Sequence, residues 1–205
     1  PYTTQELIDL IADIKPTIPR YCRVNRVIRD IPSTNVVEGN RRTSLRQDVQ
    51  NEMQRRGTRC ECVRCREVRG KTVQPELLKL DDMVYQAGAA EEHFISYVTP
   101  DDKLAGFIRL SLPGKDSPQT GMSDLDGAAL IREVHVYGQS LPVGAEKQGA
   151  AQHAGLGTRL LEKAESLAKA SGFKRIAVIS AVGTRGYYLE RGFERGDLYL
   201  TKTLL

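Results

Sequence analysis

Apolar residues recur at helical spacing near the start of the chain. Leu7, Ile8, Leu10, Ile11 and Ile14 predict a helix capped by Thr4, running to about Lys15 and closed by Pro16 and Pro19. Residues 21–28 alternate and predict a strand, followed by a loop over 32–42. Ser44 is the expected cap of a second helix through Arg56, with Leu45, Val49 and Met53 on one face and Gly57 past its end. From about residue 73 the period changes to two. Strands are predicted at 77–86, 94–99, 105–112 and 129–137, with Asp101-Asp102 as a hairpin turn. Residues 112–127, rich in Gly, Pro, Ser and Asp, read as an exposed loop. The most strongly patterned helix covers 156–170, with Leu160, Leu161, Ala164, Leu167 and Ala168 aligned and Gly172 as terminator. A buried strand at 175–180, a short helix at 184–191 and a strand at 198–204 complete the pattern. The expected boundary lies near residue 75.

Charge divides the chain in the same way. Residues 20–71 hold thirteen arginines and one lysine against six acids, a net +8 within a chain of +4, which leaves −4 for the rest. Hydrophobic residues make up 40% of the 205, enough for a sizeable core, and no apolar run is long enough to cross a membrane. The N-terminus has no signal-peptide pattern and no initiating Met, so the chain is expected to be a piece of a longer protein.

Three candidate chemistries stand out. Gln152-His153-Ala154-Gly155-Leu156-Gly157, placed ahead of the predicted helix, would offer bare backbone amides and the positive end of a helix dipole to a diphosphate. Cys60, Cys62 and Cys65 form a tight thiolate cluster that can ligate a tetrahedral zinc. Cys22 is the candidate fourth ligand. Three cysteines completed by another group, free thiols, or an iron–sulfur cluster remain alternatives. Arg23, Arg26, Arg41, Arg42, Arg46, Arg55, Arg56, Arg59, Arg64 and Arg66 suit forked contacts to RNA phosphates. With no aromatic RNA-binding motif, shape and backbone contacts are expected rather than sequence reading.

The order of motifs resembles GNAT acetyltransferases over residues 76–205. It comprises the strand Arg132-Glu133-Val134-His135-Val136-Tyr137, then Q-x-x-G-x-G, a long helix, a strand, the Tyr187-Tyr188 helix and Gly192-Phe193. The resemblance implies an α/β fold with a mixed, mostly antiparallel sheet and flanking helices. It implies acetyl-CoA as cofactor, with Glu133, Val134, His135 and Val136 along the pantetheine arm and thioester. Gln152, His153, Ala154, Gly155, Leu156, Gly157 and Thr158 would hold the pyrophosphate. Tyr188 would lie near the coenzyme sulfur, and Glu133, His135 and Tyr188 are the implied catalytic candidates.

With Arg29-Asp30-Ile31-Pro32, Arg66-Glu67-Val68-Arg69, His135-Val136-Tyr137-Gly138 and Gly183-Thr184-Arg185, the whole chain looks like the catalytic subunit of Elongator in its bacterial or archaeal form. Residues 1–75 would then be the tail of a radical-SAM barrel and a basic zinc linker, ahead of the acetyltransferase domain at 76–205. The resemblance implies carboxymethylation of the wobble uridine C5 of tRNA. There a radical made from S-adenosylmethionine at a [4Fe–4S] cluster takes hydrogen from the acetyl methyl group. The cysteine motif for that cluster is absent from these 205 residues, so the radical-SAM domain is an expected partner. A cytoplasmic location and a homo-oligomer are also expected. The competing readings are a lysine or small-molecule N-acetyltransferase and a non-catalytic RNA-binding module on an acetyltransferase scaffold.

Overall fold

The computed structural model describes residues 1–27, 32–69, 73–137 and 151–204, without the side chains of 151–154. Two compact units divide the chain, Pro1–Glu67 and Val68–Leu205.

In the first unit α1 (Thr4–Ile14) starts at a capping box. Thr3, not Thr4, is the cap. Its hydroxyl accepts from the Glu6 N–H at 3.3 Å, and the Glu6 carboxylate accepts from the Thr3 N–H at 2.7 Å. The box needs a Glu three residues on, which Thr3 has and Thr4 lacks. A 3-10 turn at Lys15–Thr17 follows. α2 (Leu45–Arg55) packs on α1 through Ala12, Leu45, Val49 and Met53, with Leu7, Ile8 and Ile11 around them. Ser44 stands at the N-cap position, but its hydroxyl donates to Asp48 rather than capping the backbone. α3 (Val63–Arg66) is a single turn inside the cysteine loop.

The strand expected at 21–28 is not formed over its described residues. Three of their carbonyls are satisfied without a ladder. The Cys22 carbonyl accepts from the Val63 N–H at 2.9 Å, and the Arg46 guanidinium donates to Val24 and Asn25 at 3.4 and 3.2 Å. Ile28, Arg29, Asp30 and Ile31 lie outside the described residues.

The second unit is built on one sheet. Its strands β1 (Lys79–Ala87), β2 (Ala90–Val98), β3 (Leu104–Pro113) and β4 (Ala128–Val136) form an antiparallel meander. α4 (Ala151–Ala170) leads to β5 (Arg175–Val178), parallel to β4. α5 (Arg185–Leu189), β6 (Glu194–Arg195) and β7 (Leu200–Thr203) follow, giving the order β1-β2-β3-β4-β5-β7-β6. One face buries Ile95, Ile108, Leu110 and Ile131 on the side of Leu156, Leu160 and Leu161 of α4. Asp102 turns the β2–β3 hairpin at φ 63°.

Three expectations change. β2 begins at Ala90, because Glu92 and His93 are buried strand residues, not loop. The loop before β4 is pinned rather than wholly exposed. Asp124 is buried, and its carboxylate accepts from the N–H groups of Leu198 and Tyr199 at 2.8 and 3.0 Å, which hold it below the usual carboxylate range. α4 begins at Ala151, so Gly155 and Gly157 are its fifth and seventh residues instead of a loop ahead of it. A glycine weakens a helix by only about 1 kcal/mol, which the buried leucine face of α4 outweighs.

Candidate functional site

β4 separates from β5 where the site begins. The parallel ladder pairs Ala128–Ile131 with Arg175–Val178 and stops there. From Arg132 to Val136 the β5-facing edge of β4 has no strand partner among the described residues. At the same point β3 and β4 lose register. Arg109 pairs with Glu133 and Leu110 with Ile131, so Arg132 is an extra residue, a β-bulge.

Beyond the bulge Glu133 and His135 share one face and Val134 and Val136 the other. The Glu133 carboxylate accepts from Arg109 Nε at 2.9 Å. The His135 ring stacks on Phe107 at 5.9 Å and meets Tyr137 at 4.5 Å. Arg109 in turn lies over the Phe94 and Phe107 rings at 5.0 and 5.5 Å.

α5 carries two adjacent phenols, Tyr187 and Tyr188. Tyr188 is only 7% exposed and meets Phe193 edge-on at 5.5 Å; burial pushes its phenol up. The Tyr187 hydroxyl lies where a Cβ on Gly157 would be 2.6 Å away, and it is buried without a hydrogen-bond partner among the described residues. Arg191 fixes that ring. Its guanidinium is 3.7 Å from the ring centre, donates to the Tyr187 carbonyl at 2.7 Å, and reaches the Thr158 hydroxyl at 3.1 and 3.0 Å. Ser180, just past β5, carries a second buried hydroxyl without a described partner. A buried, unpaired hydroxyl is costly, so both suit a bound polar group.

Of the expected coenzyme residues, Leu156 is core. Gly155 faces open space, Gly157 faces Tyr187, and Thr158 is taken by Arg191. The side chains of Gln152, His153 and Ala154, and Gly138, lie outside the described residues. Sequence reasoning missed Arg109, Ser180, Tyr187 as the hydroxyl facing α4, and Arg191. Arg109 had a signal, as the one charge inside an apolar strand.

In the first unit the sulfurs of Cys60, Cys62 and Cys65 all lie within 4.8 Å of one another. Thiolates bound at about 2.3 Å around one tetrahedral zinc stand about 3.8 Å apart, a small closure from this spacing, so the donor set fits. Hydrogen bonds from Cys60 and Cys65 favour the thiolate at Cys62, and the same contacts push Cys60 up. Buried Lys15 lies alongside, its Nζ 3.8 Å from Cys65 Sγ. Cys22 is tied to the loop by its carbonyl, but its thiol is not part of the convergent group.

The arginines are mostly engaged within the unit. Arg23 and Arg64 pair with Glu67, Arg42 with Asp48, Arg55 with Glu52, and Arg59 with Glu61. Arg56 joins Glu52, Asp13 and Asp9. Arg66 is buried, and Arg46 holds the backbone carbonyls noted above. Arg26, Arg41 and Arg42 line a cavity of about 450 Å³ with Ser33, Asn40 and Thr43.

Comparison with known proteins follows the same division. A model of the Radical_SAM C-terminal domain matches residues 1–55, and one of the acetyltransferase (GNAT) family matches residues 63–193. The whole chain is 39% identical to a tRNA uridine(34) acetyltransferase of Dehalococcoides mccartyi and 38% identical to one of Methanocaldococcus jannaschii, covering 45% and 39% of those proteins. It is also similar, at 36% identity, to Elongator complex protein 3 of Saccharomyces cerevisiae, 38% of which it covers. Among solved structures, the archaeal Methanocaldococcus infernus Elp3 with an N-terminal deletion superposes with a TM-score of 0.84 at 33% identity, over all of this chain and 49% of that one. The chain thus spans less than half the length of these relatives.

Proposed function

The chain belongs to the GNAT acetyltransferase family, and on that premise we propose that it binds acetyl-CoA and supplies the acetyl group for modifying the wobble uridine of tRNA at C5. The observation that carries the coenzyme site is the edge of β4 from Arg132 to Val136, beside α4, which no strand among the described residues pairs. Amide groups of a pantetheine arm can add to such an edge as a strand would. The diphosphate belongs at the N-terminal end of α4, by the dipole and open-amide argument.

Acetyl-CoA, when bound, supplies an activated acetyl thioester. Tyr187 is the phenol proposed to donate a hydrogen bond to the departing sulfur, because its hydroxyl is buried next to Gly157 without a hydrogen-bond partner among the described residues. Tyr188, the family-position candidate, is retained as the wall behind it. His135 and Glu133 are proposed to line the acceptor side. The Glu133 carboxylate is already engaged by Arg109 Nε at 2.9 Å.

The uridine acceptor is supported by the relatives' names and by a basic first unit. Cys60, Cys62 and Cys65 are proposed to hold a structural zinc, with the fourth ligand from Cys22 after a side-chain rotation or from solvent. Carbon–carbon bond formation is proposed to draw on a radical-SAM domain with its S-adenosylmethionine and [4Fe–4S] cluster, in the cytoplasm. Among the described residues no helix is long and apolar enough to cross a membrane.

The test mixes the intact protein with labelled acetyl-CoA, tRNA and lysine peptides. Coenzyme binding by calorimetry, with tRNA-dependent consumption of the thioester, is the expected result. Acetylated peptide with no effect of RNA would overturn the uridine reading. RNA binding with no coenzyme binding would leave a scaffold without catalysis.

A further inference from the structure

One guanidinium ties α5 to α4 beside the candidate site. Arg191 lies just past the end of α5, where its backbone N–H donates to the Tyr188 carbonyl at 2.9 Å. That leaves the Tyr187 carbonyl without the helical partner four residues on, and the Arg191 side chain folds back to supply one. Nη1 donates to this carbonyl at 2.7 Å. Nε and Nη2 donate to the Thr158 hydroxyl on α4 at 3.1 and 3.0 Å. The same group stands 3.7 Å from the centre of the Tyr187 ring. A flat fork can stack on a ring and donate in two directions at once, which a lysine ammonium cannot do.

The ring held in this way ends at the open edge of β4. A Cβ on Gly157 would meet the Tyr187 hydroxyl at 2.6 Å and the side chain of Val136, the last residue of β4, at 3.7 Å. Phenol, α4 glycine and strand edge therefore converge. The hydroxyl does not anchor the ring, because it has no hydrogen-bond partner among the described residues. α5 is five residues long, too short to be rigid by its own helix stability. The second torsion of a tyrosine side chain is broad. The direction of the phenol therefore depends on what packs against the ring, with Arg191 on its face and Tyr188 edge-on at 5.2 Å.

We propose that Arg191, anchored on the Thr158 hydroxyl, is a positioning residue that holds the Tyr187 phenol at Gly157 for the acetyl thioester. The proposal rests on the reading of Tyr187 as the phenol that faces the departing sulfur, but the placement of the ring can be measured without coenzyme. Arg191 acts through the phenol and does not have to touch acetyl-CoA. Its link to Thr158 makes α4, which carries Gly157, the reference against which the ring is set.

The experiment uses the intact protein with Arg191→Met, Arg191→Lys and Thr158→Val, each alone and combined with Tyr187→Phe. Thioester turnover, KM for acetyl-CoA and melting temperature are read for each. With fluorotyrosine incorporated, the fluorine NMR line that disappears in Tyr187→Phe reports the ring in the absence of coenzyme. Arg191→Met is expected to move that line towards the position of a solvent-exposed tyrosine and to lower kcat about tenfold, with KM within about twofold. Thr158→Val breaks the anchor at nearly constant volume and should do the same to about threefold in kcat, so the test stands even where Arg191→Met fails to fold. Arg191→Lys should keep the melting temperature and recover only part of kcat. In the Tyr187→Phe background none of the three should lower kcat further, because the hydroxyl they place is gone. A full further drop in that background would overturn the proposal, since Arg191 would then act on the fold and not through the phenol. An unmoved Tyr187 line in both Arg191→Met and Thr158→Val would overturn it as well. Wild-type kcat in Tyr187→Phe alone would overturn the Tyr187 reading instead, with the placement of the ring by Arg191 still judged by the fluorine spectrum.

Discussion

The Tyr187 hydroxyl occupies the space that a side chain on Gly157 would need, with 2.6 Å left to a Cβ. The glycine is therefore set by its neighbour on α5 as well as by any diphosphate. Gly157→Ala is expected to cost about 1–3 kcal/mol by overpacking. Gly155 meets nothing within 4 Å, so Gly155→Ala should stabilise α4 by about 0.5–1 kcal/mol. Denaturant titration separates the two, and combining Gly157→Ala with Tyr187→Phe should relieve part of the loss. Equal effects of the two alanines would contradict the packing.

The phenols should also part company in kinetics. Tyr187→Phe is expected to lower turnover of the acetyl thioester by about a hundredfold. Tyr188→Phe keeps the ring that packs on Phe193 and should leave turnover within a few-fold of wild type. Steady-state kinetics on the intact protein decide between them, and the reverse ranking would restore Tyr188 to the chemistry.

Glu52 is expected to make the first unit acid-sensitive. Hydrogen bonds from Arg55, then Arg56, hold its carboxyl down to about 2 from an ordinary value of 4.5. A depressed folded value gives stability that is complete above 4.5 and is lost as the pH falls from there towards 2. Unfolding followed between pH 5 and pH 2 should show this slope, and Glu52→Gln should flatten it. A variant as acid-sensitive as wild type would show that other carboxylates set the slope.

Metal analysis should find about one zinc per chain. Cys62→Ser or a strong chelator should abolish it and lower the melting temperature of the first unit. Lys15→Met should weaken zinc retention, because it removes the ammonium 3.8 Å from Cys65 Sγ. Full retention in Cys62→Ser would exclude the cluster as the site.

For tRNA, the exposed Arg41 and Arg59 are expected to act differently from Arg56. Replacing either of the first two by Ala should flatten the salt dependence of binding by up to about one unit of slope without changing stability. Arg56→Ala should destabilise the α1–α2 pair, because it removes the guanidinium that joins Asp9 and Asp13 of α1 to Glu52 of α2, and should leave the slope nearly unchanged. Filter binding across a salt series, with melting curves, tests both.

The sheet and its long helix were readable because alternation and 3.6-residue spacing are strong over residues 79–136 and 156–170. The strand expected at 21–28 finds no ladder partner among the described residues, since alternation says nothing about whether a neighbour exists. β2 was shortened because Glu92 and His93 look like loop residues, and only the ladder shows that Arg132 and Asp82 make their burial tolerable. The motif glycines were legible as residues, but not their place inside α4. The bulge left no mark in the sequence, because it exists only as an offset between two strands. The arginines were legible as charge, while their carboxylate partners, some more than forty residues away as Asp9 and Asp13 are from Arg56, were not.

Those partnerships change the kind of event that docking onto a nucleic acid would be. A phosphate arriving at Arg55 or Arg42 must evict Glu52 or Asp48 from an ion pair already formed. Contact becomes an exchange of anions instead of a capture by an idle cation. Each swap gains little, so tight association requires many phosphates to arrive together in the right arrangement, and stray polyanions would slide off quickly.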